Sequence, residues 1–202
     1  MIYYFFKSLP FLFFISCINK AQCQVIIDSL KSKEDYIINT TSYTKGIYKS
    51  FIEFKYNSPS LTLPFTFDKH NVWMVEGDKK SERLKKDDYW GFSDGEKIYI
   101  RWNRNYELLE KGRYCYFVAK EINLGVGTIG FVPLIVPLPD TDALIINFNN
   151  GKVFEVGKGL LEGILEIDDQ ELLEQYRQEK QRSKKIREYI VLYNDRNKDK
   201  VK

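Results

Sequence analysis

The sequence predicts an α+β fold, with a mainly antiparallel β-sheet built from hairpins, a short N-terminal helix and a C-terminal helical segment. Aromatic residues make up 15% of the chain, and such residues favour pleated, half-buried surfaces. Runs of alternating apolar residues are separated by turn residues, as in hairpins. From Leu160 onwards the apolar spacing becomes helical. Strands followed by helices, without alternation between the two, favour α+β.

The clearest hairpin signal lies in residues 88–102. Residues 89–92 are aromatic and strand-like, and the next four residues supply a turn in which Gly95 is free to adopt a positive φ. Beyond this turn the chain alternates with the period of a strand: Ile98, Ile100 and Trp102 against Tyr99 and Arg101. These aromatic side chains are expected to lie mostly in the core. The alternative is an aromatic platform for sugars or peptides, formed by Tyr89, Trp90, Phe92, Tyr99 and Trp102.

Residues 1–23 have the features of an export signal. Lys7 is the one charge before and within an apolar run that fits a signal-peptide core and is short for a membrane span. Small residues follow, so cleavage before Gln24 is expected, with a membrane anchor as the alternative. A further reading is lipidation, because Phe14-Ile15-Ser16-Cys17 resembles the lipobox of bacterial lipoproteins. Export places the protein in the periplasm, on the outer membrane surface or outside the cell.

The mature chain divides by composition into three parts. Residues 24–44 are predicted to form an N-terminal arm, residues 45–195 a single α+β domain, and residues 196–202 a polar, frayed tail. The domain begins with a helix of about two turns, because Ser50 with Glu53 forms a capping box and Pro59 follows soon after. We expect a sheet of about six strands, including residues 61–67 and 72–75, and a solvated loop at the charged residues 78–88.

Two more hairpins and a helical segment complete the predicted domain. One hairpin joins residues 106–110 to 114–119 through a Lys-Gly turn, and the other spans residues 143–156. In the second, Asn150-Gly151 is the residue pair that a type I′ turn prefers. The helical segment carries an N-cap signal at Asp168-Asp169, where the acidic side chains favour the helix dipole.

Residues 124–139 carry no charge and contain three glycines and three prolines. They are too few and too broken for a membrane-spanning helix, so we expect a buried or partner-covered loop within the sheet. The alternative is an exposed apolar flap that touches lipid, a partner or a ligand. The letters GxGxxG occur here, but prolines follow instead of a helix, so dinucleotide binding is excluded.

Composition argues against several chemistries. The net charge of +3 gives no broad basic surface, so a nucleic-acid partner is not expected. His70 is the single histidine, and no cofactor or metal-ligand motif occurs. Cys115 lies in a strand-like run and is expected to be a buried thiol. Carboxylate chemistry is the remaining option for catalysis, since four acidic residues gather near the central hairpin: Asp87, Asp88, Asp94 and Glu96.

Three phrases of the sequence, in this order, resemble a group of uncharacterised secreted proteins of Bacteroidota-type bacteria. The phrases are Lys45-Gly46-Ile47-Tyr48 with Phe51-Ile52-Glu53-Phe54 and Asn57-Ser58-Pro59; Trp90-Gly91-Phe92-Ser93-Asp94-Gly95 with Ile98-Tyr99-Ile100; and Asn149-Asn150-Gly151-Lys152-Val153 with Leu172-Leu173, Tyr189-Ile190 and Tyr193-Asn194. The resemblance implies export and a Gram-negative envelope. It implies no catalytic, cofactor or metal residue.

The sequence therefore predicts an exported, non-enzymatic module that binds an envelope protein or a surface component. Its candidate binding surface is Tyr89, Tyr99, Phe131 and Leu134, and no catalytic, cofactor-binding or metal-binding residue is assigned. Membrane contact is expected only through a lipid on Cys17 or through the apolar residues 124–139. The alternatives are a carboxylate-dependent hydrolase at the 88–102 hairpin and a lipoprotein scaffold held by Cys17.

Overall fold

The computed structural model describes residues 32–129 and 132–202, with the backbone alone described for residues 120–129 and 132–141. Its α+β architecture confirms the predicted fold class. One sheet has seven strands in the order β1-β5-β6-β7-β8-β9-β10, and a second has three in the order β2-β3-β4. Every pairing is antiparallel. The strands are β1 Gly46–Tyr48, β2 Phe65–Phe67, β3 Val72–Glu76, β4 Lys79–Arg83, β5 Gly91–Ser93, β6 Ile98–Arg101, β7 Asn105–Glu110, β8 Tyr114–Ile129, β9 Val132–Asn147 and β10 Val153–Glu155.

Four α-helices accompany the sheets in the described part of the chain. They are α1 Phe51–Lys55, α2 Lys158–Asp168, α3 Gln170–Gln178 and α4 Ile186–Arg196. Short 3₁₀ turns lie at Lys33–Asp35, Ile37–Asn39, Arg182–Lys185 and Lys198–Lys200. None of the helices in residues 32–129 and 132–202 has the length and apolar character needed to cross a membrane.

Helix α1 begins and ends through the hydrogen bonds that its sequence predicts. The Ser50 hydroxyl accepts from the Glu53 N–H at 3.3 Å, and Glu53 Oε2 accepts from the Lys49 N–H at 2.7 Å. The carboxylate thus reaches one residue further back than in an ideal capping box. The helix is shorter than the two turns expected, because Asn57 takes a left-handed φ of 47° and ends it.

One core lies between the sheet and the C-terminal helices. Tyr114, Tyr116 and Ile145 pack against the buried side chains of all three helices. The helices contribute Leu161, Ile164, Leu165, Leu172, Leu173, Tyr176, Ile186, Tyr189, Ile190 and Tyr193 to this cluster. Asp169 begins α3 by accepting from the Leu172 N–H at 3.0 Å, so the predicted second N-cap is confirmed.

A second core lies where the small sheet meets β1, β5 and β6. Ile47, Val72, Tyr89 and Phe92 form its buried centre. The Phe92 ring lies 4.6 Å from that of Phe67 and 4.9 Å from that of Tyr99. The rings fill the space between the two sheets, which is why this aromatic hairpin occupies a central position.

Two local predictions were wrong. The charged residues 78–88 do not form only a loop, because Lys79–Arg83 is the exposed edge strand β4. Its backbone pairs with β3 while its side chains remain in solvent, and Lys80 Nζ lies 3.8 Å from the centre of the Trp73 ring. Residues 124–129 and 132–139 are not a loop either, since they belong to the paired strands β8 and β9.

The predicted 143–156 hairpin is confirmed, but its turn is not type I′. The Asn147 N–H donates to the Lys152 carbonyl at 2.9 Å, which leaves a four-residue loop between them. Among these residues only Gly151 has a positive φ, of 71°, whereas a type I′ turn needs two. The longer loop carries Phe148 into the core, where its side chain is 0% exposed.

The end of the chain is docked and not frayed. Val201 is buried, and Lys202 N–H donates to Asn149 Oδ1 at 2.7 Å. Lys55 Nζ donates to the Lys202 carbonyl at 3.0 Å. Lys200 Nζ donates to the Asp168 carbonyl at 2.7 Å. The polar composition of the tail predicted fraying, because composition does not show which hydrogen-bonding groups elsewhere in the fold lie close enough to bind the tail.

Replacing Gly151 by alanine is expected to lower the free energy of unfolding by about 2 kcal/mol. A Cβ at this left-handed position would lie 2.6 Å from the Phe51 ring. The control is Gly163→Ala in α2, where a Cβ would meet nothing within 4 Å; helix propensity should stabilise that variant by roughly 0.5–1 kcal/mol. Urea unfolding of both variants measures the difference, and equal stabilities would contradict the packing argument.

Asp168 should make stability depend on pH. Burial alone would raise its pKa, but hydrogen bonds from Tyr193 and Arg113 and the nearby cations outweigh burial and lower the pKa. Such a carboxylate stabilises the fold fully above its unfolded pKa of about 3.9, and the contribution is lost as the pH falls through the folded pKa. Asp168→Asn should therefore cost about 2 kcal/mol near neutral pH, and the deficit should shrink in acid.

Urea unfolding across this pH range measures the Asp168 effect. The control is Glu188→Gln, since Glu188 is half exposed and pairs with Lys185 on the surface, where an ion pair contributes little. A deficit for Asp168→Asn that stays constant from neutral to acid pH would show that the carboxylate charge is not responsible.

Candidate functional site

The residues with the strongest potential for binding converge in one surface groove of about 280 Å³. We call it the tryptophan groove. Two tryptophans and three cationic side chains distinguish it from the two larger depressions described below. Its lining is Lys49, Lys86, Asp87, Tyr89, Trp90, Arg101 and Trp102.

Trp90 is held in the groove by helix α1 behind it. Its ring lies 4.6 Å from that of Phe54 and 5.5 Å from that of Phe51. The backbone N–H of Trp90 donates to the Tyr48 carbonyl at 2.8 Å, and the backbone carbonyl of Trp90 accepts from the Arg101 backbone N–H at 3.0 Å. One face of the indole is therefore fixed by the core, and the half-buried ring presents the remainder to the groove.

Trp102 lies beyond the end of β6 and is 45% exposed. Its N–H donates to the Arg104 carbonyl at 3.0 Å, which fixes the backbone at the point where the hairpin turns. A large aromatic side chain left in solvent loses the free energy of its burial. Trp102 is thus an exposed apolar surface on one side of the groove.

Arg101 supplies the cation between the two tryptophans in the sequence. Its Nη1 donates to the His70 carbonyl at 3.0 Å, and its guanidinium carbon lies 5.6 Å from the centre of the Tyr89 ring. Its Nε is buried and has no hydrogen-bond partner in the described part of the chain. An unpaired buried donor costs free energy.

Tyr89 forms the buried base of the groove. It is 4% exposed, and its hydroxyl donates to Asn105 Oδ1 at 2.9 Å. Asn105 in turn donates to the Asp68 carbonyl at 2.8 Å, which ties the turn before β3 to the sheet. Burial raises the pKa of Tyr89, against the opposing effects of Arg101 and Asn105. The phenol therefore stays neutral and serves to position its neighbours.

The charges of the groove are unbalanced. Lys49, Lys86 and Arg101 are cationic and Asp87 is the single acidic residue of the lining. Within residues 32–129 and 132–202, none of these four side chains makes an ion pair. Exposed cations beside aromatic faces attract a ligand that carries both an anionic group and an apolar face.

Two larger depressions have less binding potential. A depression of about 450 Å³ is lined by residues that already pair with one another: Lys97 contacts Glu107 at 3.0 Å and Lys198 contacts Asp195 at 3.2 Å. Another of about 470 Å³ lies on the exposed side of α4, with Glu188 already paired to Lys185. In the tryptophan groove, by contrast, the cations are uncompensated.

Of the predicted binding residues, the structure describes the side chains of Tyr89 and Tyr99, and Tyr89 also lines the tryptophan groove. Tyr89 belongs to the core, and Tyr99 is half-buried with its ring stacked on Phe92 at 4.9 Å. Burial also raises the pKa of Tyr99 to about 12. Leu134 pairs with Gly127 in the β8–β9 ladder, with its backbone alone described. Phe131 and Cys17 lie outside the described residues.

Asp88 and Asp94, two of the four acidic residues near the central hairpin, accept turn hydrogen bonds. Asp94 Oδ1 accepts from the N–H groups of Glu96 at 2.9 Å and Lys97 at 2.7 Å. Asp88 Oδ2 accepts from the Lys85 N–H at 2.7 Å. These contacts do not bring the carboxylates together as an acid–base pair would require. Among the described residues no group of three His, Cys, Asp or Glu could hold a metal ion.

Cys115 is buried, as the sequence predicts, and its side chain is 0% exposed. Burial raises the pKa of its thiol to about 12. The thiolate that would act as a nucleophile is therefore strongly disfavoured.

The sequence suggested the aromatic residues of the tryptophan groove only as an alternative to a core role, and it did not indicate the cations. Trp90 and Trp102 belong to that alternative aromatic platform. Lys49 lies far from them in sequence, and Lys86, four residues before Trp90, lies in the charged run 78–88 that was expected to be a solvated loop. Neither lysine stands out locally, because surface lysines are common in every soluble protein. Arg101 had a weak signal, as a cation between aromatic residues of one strand.

A family model described as a family of unknown function, DUF6563, matches residues 46–197. The match includes the whole tryptophan groove and both sheets. No curated protein and no solved structure shows significant similarity to the chain.

Proposed function

We propose that this chain is an exported, non-enzymatic binding module. It belongs to DUF6563, a family of unknown function. The proposed ligand is an acidic saccharide of the cell envelope or its surroundings, bound in the tryptophan groove. The observation that carries this proposal is that one groove is lined by two tryptophans and by three cations that have no ion-pair partner in the described structure.

An acidic saccharide complements the groove, because it carries the negative charge and the apolar face that the cations and the tryptophans would bind. Its ring carbons offer an apolar face that packs on an indole, and its carboxylate accepts hydrogen bonds from a guanidinium. The volume of about 280 Å³ lies just below the usual range of small-molecule pockets. The groove therefore suits a single sugar unit of a longer chain, with Lys49 and Lys86 near the carboxylates of neighbouring units.

Binding is favoured over hydrolysis by the roles of the acidic residues. Asp88 and Asp94 hold turns by accepting backbone hydrogen bonds, and Asp87 is the one carboxylate in the groove lining. A glycosidase of the usual kind needs two carboxyl groups on opposite sides of the scissile bond. The hydrolase alternative therefore gains no support from the groove.

The location of this module is part of the proposal. Residues 1–23 provide the export signal, and the soluble form would begin at Gln24. In the alternative form Cys17 carries lipid and tethers the domain to a membrane. Both forms, and the Bacteroidota-type envelope that the resemblance implies, present the groove to acidic surface polymers.

The acidic-saccharide proposal predicts binding to polygalacturonate, a polymer of galacturonic acid, and no binding to neutral dextran. Trp102→Ala and Arg101→Gln are each expected to weaken the affinity about tenfold, which corresponds to about 1.4 kcal/mol. Trp102→Ala removes an apolar surface that would pack on the sugar ring, and Arg101→Gln removes the guanidinium that would bind the carboxylate. Isothermal titration calorimetry of the exported protein measures the affinities, and added salt should weaken binding because the cations are exposed.

The control is Ile167→Ala, which removes an apolar side chain that is 85% exposed on α2 and outside the groove. Thermal unfolding checks that each variant folds, since Arg101 also holds the His70 carbonyl. Unchanged affinity in both groove variants would refute the site. Tighter binding to poly-glutamate than to polygalacturonate would refute the saccharide and favour an acidic peptide.

Intact mass of the protein made in its own host tests the two forms of export. Soluble export predicts a chain that begins at Gln24. Lipidation predicts a chain that begins at Cys17 with added acyl groups, and Cys17→Ser should then abolish labelling by a lipid precursor. A full-length mass that retains residues 1–23 would contradict both forms.

A further inference from the structure

The far end of the β8–β9 hairpin extends beyond the rest of the sheet. We call residues 122–129 and 132–139 the distal ribbon. β7 pairs with β8 no further than Phe117, and β10 pairs with β9 from Leu144 to Ile146. In the described structure the distal ribbon therefore has two strands and two outer edges, each of which carries backbone hydrogen-bonding groups.

Hydrogen bonds near its base show which residues of β9 face outward. The Asn147 N–H donates to the Lys152 carbonyl at 2.9 Å, and the Ala143 carbonyl accepts from the Val156 N–H at 2.8 Å. Odd-numbered residues of β9 thus direct their backbone groups away from β8. The register runs without a shift from Tyr114↔Asn147 to Ile129↔Val132, so the same parity holds throughout the ribbon.

All the prolines of β9 have this outward parity. Pro133, Pro137 and Pro139 are odd-numbered, so none of them removes a donor from the β8–β9 ladder. Each removes a donor from the outer edge of β9 instead. Proline at outward positions is a known means of preventing another strand from pairing at an edge. The outer edge of β9 is blocked.

The outer edge of β8 is open. The Tyr114 N–H donates to Asn194 Oδ1 at 3.0 Å, and the Tyr114 carbonyl accepts from Asn194 Nδ2 at 2.9 Å. Even-numbered residues of β8 therefore face away from β9. In the distal ribbon the outward residues retain both a donor and an acceptor and pair with no described strand: Ile122, Leu124, Val126 and Thr128.

Charge does not protect this open edge. Residues 122–139 contain no ionisable side chain, and the nearest ones are Lys120, Glu121 and Asp140 at the base of the ribbon. An isolated two-stranded ribbon is marginally stable in water, and an uncharged open edge is a template for another strand. Because the edge of β9 is blocked and the edge of β8 is open, the ribbon can pair with another strand only at β8.

We infer that the open edge of β8 pairs with the same edge of a second copy of this chain. The two β8 strands run antiparallel, and the outward residues of each donate to and accept from those of the other. The product is a symmetric four-stranded ribbon, β9-β8-β8-β9, with proline on both outer edges. Because those edges are blocked, the assembly closes at two copies, as a two-fold interface does.

The first test replaces one outward residue of β8. Leu124→Pro removes a donor from the open edge and leaves the β8–β9 ladder intact, whereas Leu124→Ala keeps the donor and serves as the matched control. Sedimentation equilibrium of the mature protein should show a dimer for the wild type and for Leu124→Ala. Leu124→Pro should be monomeric, and its circular dichroism spectrum should show that the domain remains folded.

The second test opens the blocked edge. Pro137→Val restores an outward donor on β9, so this variant should form species larger than a dimer. A monomeric wild type would overturn the inference, and flotation of that monomer with phospholipid vesicles would point to lipid as the occupant. A dimer that survives in folded Leu124→Pro would also overturn it. None of these results depends on the tryptophan groove, so the two proposals succeed or fail separately.

Discussion

The architecture depends on the burial of Phe54. This side chain is 0% exposed, and its ring lies 6.0 Å from that of Tyr48, 4.6 Å from that of Trp90 and 6.1 Å from that of Phe148. The three neighbours come from β1, the entry to β5 and the turn after β9. A helix of five residues is too short to be stable alone, so this aromatic contact both holds α1 in place and joins distant hairpins.

The polar contacts of the fold have a related role, because polar side chains bind backbone groups that no neighbouring strand or helix pairs with. Asn194 satisfies both backbone groups of Tyr114 at the near end of β8, and Lys55 binds the end of the chain. The distal half of the same strand receives no such partner from the described residues. A single strand therefore changes from a covered edge to an open one along its length, which is the physical basis for assigning it to a partner.

The tryptophan groove follows from the same packing. Trp90 is fixed against α1, and Arg101 is fixed by its bond to the His70 carbonyl. A site whose side chains are held before binding loses less conformational entropy when a ligand arrives. The rigid parts of the groove come from the core, while Lys49 and Lys86 remain exposed and adaptable. Such a combination fits the polymer ligand that we propose for the groove.

The sequence by itself determined the elements whose causes are local. Ser50 and Asp169 begin helices, Gly95 allows its turn, and alternation predicts the hairpins. Tertiary structure decided everything that depends on residues far apart. Packing of Phe148 enlarged the Asn150-Gly151 turn, and pairing with β3 made a strand of charged residues. Lys49, remote from Trp90 in sequence, completed the groove together with Lys86. Local backbone preferences are small, so burial and pairing across the chain decide wherever the two compete.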